Sequence, residues 1–185
     1  MVTLIVVLAI IALLVIAAIA LYNKLIALRM QAQNAWSDID VQLKRRADLV
    51  PNLVTTVKGY AAHERETLDM VTQARTRALA AQRAGPAARA QVEGDLSTAL
   101  RGLAVTVEAY PDLQASGGFR DLQAQLASTE DAIQSARRYY NAVVRDFNTA
   151  IMTFPAVLLA RPMGFHGLEF FEADAEDRDL PRVNV

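Results

Sequence analysis

Apolar residues fill the first part of the chain and then recur at helical spacing along most of its length. The segment from Val2 to Tyr22 carries no charge, and Thr3 and Tyr22 are its only polar residues. Its 21 residues would span about 31 Å as a helix, which is close to the thickness of a bilayer's hydrocarbon core. Tyr22 stands where an interfacial aromatic residue is expected. We therefore predict a transmembrane anchor over residues 1–23.

A cleaved signal peptide is the alternative for this segment, because Ala18-Ile19-Ala20 resembles a small-x-small cleavage site. Two features favour an uncleaved anchor: no Lys or Arg precedes the apolar run, and the run is longer than a typical signal-peptide core. Lys24 and Arg29 follow the segment. The positive-inside rule therefore predicts an N-terminus outside the cell membrane and the rest of the chain in the cytoplasm.

Residues 24–160 are predicted to form an antiparallel up-and-down four-helix bundle, so the fold class is all-α. The first bundle helix continues from the anchor and should end before Pro51, because the residue preceding a proline is pushed out of the α-helical region. The second helix then runs from Pro51 to Gly85-Pro86, and the third ends at Pro111. The short connections favour antiparallel neighbours.

The fourth helix has the most regular pattern, between a predicted turn at Ser116-Gly117-Gly118 and Pro155. Its apolar positions alternate in steps of three and four with no charge among them, which fits bundle or coiled-coil packing. A dimeric coiled coil through this helix is the competing interpretation. The stripe consists of Phe119, Leu122, Leu126, Thr129, Ile133, Ala136, Tyr140, Val143, Phe147, Ala150 and Phe154.

Residues 161–185 break the helical pattern and are predicted to form an irregular, acidic C-terminal tail. Phe165, Phe170 and Phe171 are expected to pin this tail onto the bundle, and Val183-Asn184-Val185 is read as extended. The tail carries 3 basic and 6 acidic residues, whereas residues 24–83 carry 10 and 6. The net charge of −1 predicts no general affinity for nucleic acid.

The search for catalytic or metal-binding motifs excludes the common ones. The chain has no cysteine, which removes disulfides, thiolate metal sites and cysteine nucleophiles. His63-Glu64 lacks the second histidine of a zinc-protease motif, since Thr67 stands in its place. Tyr60 and Met163 precede the two histidines by three positions, so no Glu-x-x-His pair exists for a di-iron site. We expect no cofactor, no metal and no enzymatic activity; His63, Glu64 and Arg75 are the only candidates for a titratable cluster.

A few charged and aromatic residues are candidates for an interaction surface. Arginine clusters bind acidic lipids or partners, but they also occur on solvated helix faces where their stems pack on apolar neighbours. The sole tryptophan is either a core residue or an interface anchor. The candidate residues are Trp36, Asp40, Arg45, Arg46, Arg137, Arg138 and Tyr139.

Several segments of the chain together resemble the LemA family. The resemblance runs over nearly the whole chain, and its most specific block joins the first two predicted helices. The matching segments are Tyr22-Asn23, Ala35 to Arg46, Asp48 to Val54, Val57 to Ala61, His63-Glu64, Glu108 to Leu113, Arg137 to Asn141 and Phe154-Pro155.

The resemblance implies an N-terminal transmembrane helix followed by a four-helix bundle, with the short N-terminus outside. The molecular function of the family is uncertain, and the resemblance supplies no established catalytic residues to carry over. A relative in magnetosome-forming bacteria that is linked to membrane biogenesis implies a scaffolding role. The chain departs from the family pattern at Gln114-Ala115-Ser116, where Ser116 must cap the next helix in place of asparagine, and at its last residue, Val185.

We therefore predict a non-enzymatic, membrane-anchored protein with a scaffolding or membrane-organising role. A membrane-tethered sensor or ligand-binding module is the alternative. The expected partners are the lipid bilayer through Val2 to Tyr22, a second copy of the chain in a homo-oligomer, and an unknown protein partner; no nucleic acid is expected.

Overall fold

The computed structural model describes residues 1–61 and 63–172, and all regular structure in these ranges is helical. The predicted all-α fold is confirmed. The last predicted segment, Val183-Asn184-Val185, lies outside the described residues. The helices are α1 (Val2–Tyr60), α2 (Arg65–Ala80) with a 3₁₀ turn (Ala81–Arg83), α3 (Pro86–Val107), α4 (Pro111–Ala115), α5 (Gly117–Met152) and α6 (Ala156–Leu159).

The chain divides into two compact units. The first unit comprises Met1–Trp36 and Tyr139–Leu168, and the second comprises Ser37–Arg138 together with the described residues 169–172. Helices α1 and α5 supply residues to both units. Each unit has its own buried apolar cluster.

The start of α1 is apolar and exposed. No residue between Val2 and Tyr22 is buried, and only Ala18 and Leu21 are partly covered. The most apolar 18-residue window of α1 has a mean hydropathy of 3.5. Among the described residues, α1 is the one helix that is long and apolar enough to cross a membrane.

The core of the second unit is built by helical stripes. On α1, Val50, Leu53 and Val57 recur in steps of three and four and are almost fully buried. This spacing places their side chains on one face of the helix, where they meet matching stripes from other helices. The cluster is completed by Ala61, Leu68, Val71, Ala74, Ala78, Leu96, Leu103, Val107, Leu113 and Phe119.

The prediction that the first bundle helix ends before Pro51 is wrong, because α1 continues through the proline to Tyr60. Proline has no N–H, so the carbonyl four residues earlier loses its helical donor. That carbonyl belongs to Ala47, and the Nε–H of Arg75 on α2 donates a hydrogen bond to it at 2.7 Å. The side chain of Arg75 therefore replaces the missing backbone donor, and the chain leaves the helix only after Tyr60.

The prediction of a turn at Ser116-Gly117-Gly118 is wrong for its two glycines, which lie in the first turn of α5. Ser116 has an extended backbone (φ −63°, ψ 127°), as a capping residue requires. The N–H of Phe119 donates to its Oγ at 3.4 Å. Ser116 thus caps α5 as predicted, and the helix begins directly after it.

The apolar stripe of α5 is confirmed along most of the helix, since Phe119, Ile133 and Phe147 are buried. Its last predicted member, Phe154, is 80% exposed, so the stripe does not extend that far. The helix ends at Met152, before the stripe can bring Phe154 onto the same face.

In the first unit, the chain turns back after α6 and packs Phe165 into the unit's buried cluster. Leu25, Phe147, Ala160 and Phe165 form its buried cluster. The N–H of Phe165 donates to the Ala160 carbonyl at 2.9 Å, and that of Gly164 to the Arg161 carbonyl at 3.0 Å. With Gly164 at a φ of +80°, this is a Schellman motif, a left-handed closure that glycine adopts without strain.

The expected pinning of the tail is confirmed for Phe165 and Phe171, which are 2% and 3% exposed, whereas Phe170 is half-buried. Asn148 on α5 holds the segment between them. Its Nδ2 donates to the Leu168 carbonyl at 2.9 Å, and its Oδ1 accepts the Leu168 N–H at 2.8 Å. The two bonds satisfy both backbone groups of Leu168 in an otherwise irregular stretch.

Replacing Arg75 with methionine should lower the free energy of unfolding by about 1–3 kcal/mol, the cost of leaving a buried acceptor unpaired. In a Pro51→Ala background the cost should shrink, because alanine restores the N–H that reaches the Ala47 carbonyl. The measurement is a double-mutant cycle from denaturant melts followed by circular dichroism. Arg77→Met, at a 58% exposed side chain on the same helix, is the control. An Arg75 effect that is the same in both backgrounds would contradict the role given to the proline.

Candidate functional site

A buried ion network forms the most polar part of the second unit. Arg46 is 2% exposed and lies on α1 three residues after Leu43 and four before Val50, both buried, so it occupies a core position of the helical stripe. Its Nη1 donates to Ser97 Oγ at 2.7 Å and to Glu130 Oε2 at 2.8 Å. Its Nη2 donates to Glu93 Oε2 at 2.7 Å and to the Glu93 carbonyl at 3.1 Å.

A second buried arginine completes the network. Arg89 on α3 is 1% exposed and forms an ion pair with Asp40 on α1. Its Nε lies 3.7 Å from Glu93 Oε1, and its Nη1 donates to the Gln82 carbonyl at 3.0 Å. Glu93 thus stands between two guanidinium groups, one at each carboxylate oxygen.

The ion network comprises Asp40, Arg46, Arg89, Glu93 and Glu130. Its arginines and Glu93 are withdrawn from water, whereas the side chains of Asp40 and Glu130 are 48% and 41% exposed. Buried charges are costly unless their hydrogen bonds are satisfied. The partly exposed carboxylates limit this cost because water solvates one side of each. The network connects α1, α3 and α5 through charge-assisted bonds of fixed geometry.

A cleft of about 220 Å³ opens beside the network. Arg101 and Arg137 line it and form no ion pair with any residue in the described part of the chain. Arg101 donates to Thr98 Oγ1 at 3.2 Å. The other lining residues are Leu43, Arg46, Ala90, Glu93, Gly94, Asp95, Ser97, Thr98, Glu130, Ile133, Gln134 and Phe171.

The structure brings some of the candidate interaction residues together. Arg46 and Arg137 line the same cleft, and Asp40 belongs to the ion network. Arg45 and Arg138 are exposed, and Arg138 donates to Ser135 Oγ one turn earlier at 3.0 Å. Arg46 was predicted as part of a surface, but it is a buried residue.

The two aromatic candidates lie in the first unit. The ring of Trp36, which is half-buried, stands 5.4 Å from that of Tyr140 between ring centres, so it packs against α5. Tyr139 is 49% exposed, and its hydroxyl accepts a hydrogen bond from Gln31 Nε2 at 3.0 Å. Of the aromatic candidates, Tyr139 is the more accessible.

Sequence reasoning missed Arg89, Glu93 and Glu130. A signal was present for Arg89, which precedes the buried residues Leu96 and Leu103 by one and two heptads. Residues seven apart on a helix share a face, so this charge falls at a core position. Counting only apolar residues hides such a position, and nothing in the local sequence distinguishes Glu130 from an exposed helical glutamate.

The residues considered for a titratable cluster serve other purposes in the structure. Arg75 holds the Ala47 carbonyl, and His63 is exposed. The Tyr110 hydroxyl donates to Glu64 Oε1 at 2.9 Å; this bond, together with burial and the carboxylate charge, raises the pKa of Tyr110 above its usual 10.0. The bond stabilises the fold below pH about 10 and is lost as the pH rises through the raised pKa.

The ion network predicts very different roles for two adjacent arginines. Arg46→Met removes one guanidinium from the buried Glu93 carboxylate and should lower the free energy of unfolding by about 3–5 kcal/mol. Arg45→Met, at the exposed neighbour, should change it by no more than about 0.5 kcal/mol. Denaturant melts of the two full-length variants make the comparison. Equal losses would show that the network does not stabilise the fold.

Comparison with known proteins agrees with this architecture. The chain is 28% identical over 163 residues to Protein LemA of Metamycoplasma hominis, covering 88% of this chain and 72% of that protein. It is 27% identical over 174 residues to Magnetosome protein MamQ of Magnetospirillum gryphiswaldense, covering 81% of this chain and 64% of the relative. A family model described as LemA family matches residues 35–185, and the chain therefore belongs to the LemA family.

Proposed function

We propose that this protein is a single-pass membrane protein whose helical domain organises other proteins or the membrane itself without catalysing a reaction. The observation that carries the proposal is the change in burial along α1. Its first 21 residues are uncharged and none of them is buried, while its later turns supply Val50, Leu53 and Val57 to a buried core. A membrane anchor and a structural core thus share one unbroken helix.

The chemistry of the described residues supports an organising role. The charged side chains withdrawn from water are engaged in the ion network, where they bind one another and the backbone. Glu64 and Arg75 are likewise occupied by structural partners. A relative named as a magnetosome protein is consistent with a task in assembly, but the chain spans only 64% of its length, so its activity is carried over only as part of this proposal.

The proposed orientation has the N-terminus outside and the helical domain in the cytoplasm. Lys24 and Arg29 follow the apolar run directly, and Arg161 lies in the same unit. Asp146 is the only acidic residue of that unit. This excess of basic residues beside the anchor favours the cytoplasmic side.

Single cysteines test this orientation cleanly, because the chain has none of its own. Val2→Cys and Val105→Cys place a thiol at residues that are 76% and 67% exposed. A membrane-impermeant maleimide should label position 2 in intact cells and position 105 only after lysis. The reverse pattern would overturn the proposed orientation. Labelling of both sites in a soluble fraction would contradict the proposal that α1 anchors the protein in the membrane.

An organising role also predicts assembly within the membrane. Extracted in native nanodiscs and counted by stepwise photobleaching, the full-length protein should occur as more than one copy per particle or in a stable complex with a second protein. Arg46→Met should reduce such assembly only as far as it unfolds the domain, and Arg45→Met should leave it unchanged. A single copy with no associated protein would count against a scaffold.

The cleft favours a ligand-binding module as the second candidate. Arg101 and Arg137 have no carboxylate partner among the described residues, and Arg46 Nε has no hydrogen-bond partner there. If the cleft binds an anionic metabolite, that compound should raise the melting temperature of the wild type but not of Arg137→Gln. Arg138→Gln, at the exposed neighbour outside the cleft, should respond as the wild type does. A screen that stabilises neither protein removes this candidate.

A further inference from the structure

Large apolar side chains are exposed at the last residue of α5 and in the turn that follows it. The exposed fractions are 80% for Phe154, 73% for Met152, 65% for Leu158, 47% for Val157 and 36% for Met163. Residues 152–163 are called the apolar turn below. Exposed apolar residues scattered singly are ordinary, but a concentration of this kind marks an interaction site.

In the short helix α6 and its C-cap residue, the smallest side chains are the most buried. Ala156 and the C-cap Ala160 are 3% and 2% exposed, Leu159 is partly buried, and Val157 and Leu158 face outward. A helix in water gains most by burying its largest apolar side chains, since the stabilisation grows with the apolar area removed from water. A helix that covers alanine and presents leucine and valine is suited to an apolar surrounding on its outer side.

The apolar turn is fixed beside the end of the apolar segment of α1. Phe165, directly after the turn, packs edge-on against Tyr22 with 5.6 Å between ring centres. Phe165 also belongs to one buried cluster with Leu25 and Ala160. Leu25 lies about 4.5 Å along the helix axis from Tyr22. The turn is thus attached at the level where the anchor leaves the hydrocarbon.

The charges around the apolar turn suit an anionic bilayer surface. No acidic residue occurs between Asp146 and Glu169, and Arg161 is the one Lys or Arg in that interval. Lys24 and Arg29 of the same unit lie on the adjoining part of α1. Basic residues near a bilayer favour binding through attraction to acidic headgroups.

The apolar turn is also preorganised. The Schellman closure at Gly164 and the two hydrogen bonds between Asn148 and Leu168 fix the chain that returns from it. A segment held in this way loses little conformational entropy when it meets a surface.

We propose that the apolar turn is a second membrane contact, which inserts Phe154, Val157 and Leu158 into the interface of the bilayer that α1 crosses. Interfacial segments of this type lie about 5–10 Å deep at the boundary between headgroups and acyl chains. The inference rests on the proposed anchor, because Tyr22 sets the depth of the turn. The bilayer is the occupant because the turn belongs to the same unit as the anchor and is joined to its end by the contact between Phe165 and Tyr22.

Depth-dependent fluorescence quenching tests the proposal on the full-length protein in vesicles of phosphatidylcholine and phosphatidylglycerol. Single cysteines at Val157, Leu13 and Ser128 carry the environment-sensitive dye NBD. The Leu13 label reports the middle of the anchor, and the Ser128 label reports an exposed site on α5 in the second unit. Nitroxides at a shallow or a deep acyl carbon, and aqueous iodide, serve as quenchers.

The label at position 157 should lose most of its emission to the shallow nitroxide and little to iodide. The Leu13 label should respond to the deep nitroxide, and the Ser128 label to iodide alone. If the label at position 157 is quenched by iodide alone, like the label at position 128, the turn is covered by water and the proposal is overturned. If it is shielded from both lipid and iodide, and the shielding depends on the protein density in the vesicles, a second copy covers the turn and the proposal is likewise overturned. If Leu13 is not quenched by lipid, the anchor itself fails, which is a separate result.

A second variant separates insertion from folding. Phe154→Ser combined with Leu158→Ser changes two exposed side chains, so the fold should be retained, and the label at position 157 should become accessible to iodide while the Leu13 label is unchanged. Val105→Ser, at an exposed apolar residue in the second unit, is the matched control and should leave all quenching as in the parent. Unchanged lipid quenching in the double variant would overturn the assignment to these side chains.

Discussion

The carbonyl of Ala47 sets the main constraint on this structure, because Pro51 deprives it of a helical donor. A free carbonyl inside a helix favours a kink or a break. Here Arg75 supplies the donor from α2, so α1 runs on for nine further residues to Tyr60. Residues beyond the proline, Leu53 and Val57, then keep the register of the stripe that begins before it and enter the same core.

The ion network makes a different contribution in the same unit. A buried guanidinium with its acceptors is rarely more stabilising than an apolar replacement of equal volume. Its geometry is far more demanding, because Arg46 must meet Glu93, Ser97 and Glu130 at once. A helix shifted by one residue would bury these charges without partners. We therefore infer that the network specifies the register of α1, α3 and α5, while the apolar stripes supply most of the stability.

The sequence predicted those features that depend on local periodicity. The stripe of α5 follows from steps of three and four, and the start of α3 follows from Gly85-Pro86, because both signals act within one or two turns of helix. The break at Pro51 was predicted from the same local reasoning and was wrong, since the compensating donor, Arg75, lies 28 residues after the Ala47 carbonyl that it binds. The ion network was missed for two reasons. Glu130 is an ordinary helical residue until tertiary packing brings it to Arg46, and the core position of Arg89, seven residues before Leu96, is hidden when only apolar residues are counted.

The two units differ in how many of their large apolar side chains are exposed and in how these side chains are distributed. In the described part of the second unit, large apolar side chains are exposed only singly, at Val41, Tyr60, Met70 and Val105, as in an ordinary soluble domain. In the first unit they are concentrated in α1 and again after α5. Apolar surface of this extent is unfavourable in water but costs nothing against acyl chains. This difference in exposed apolar surface is the physical reason for proposing that the first unit, and not the second, contacts lipid.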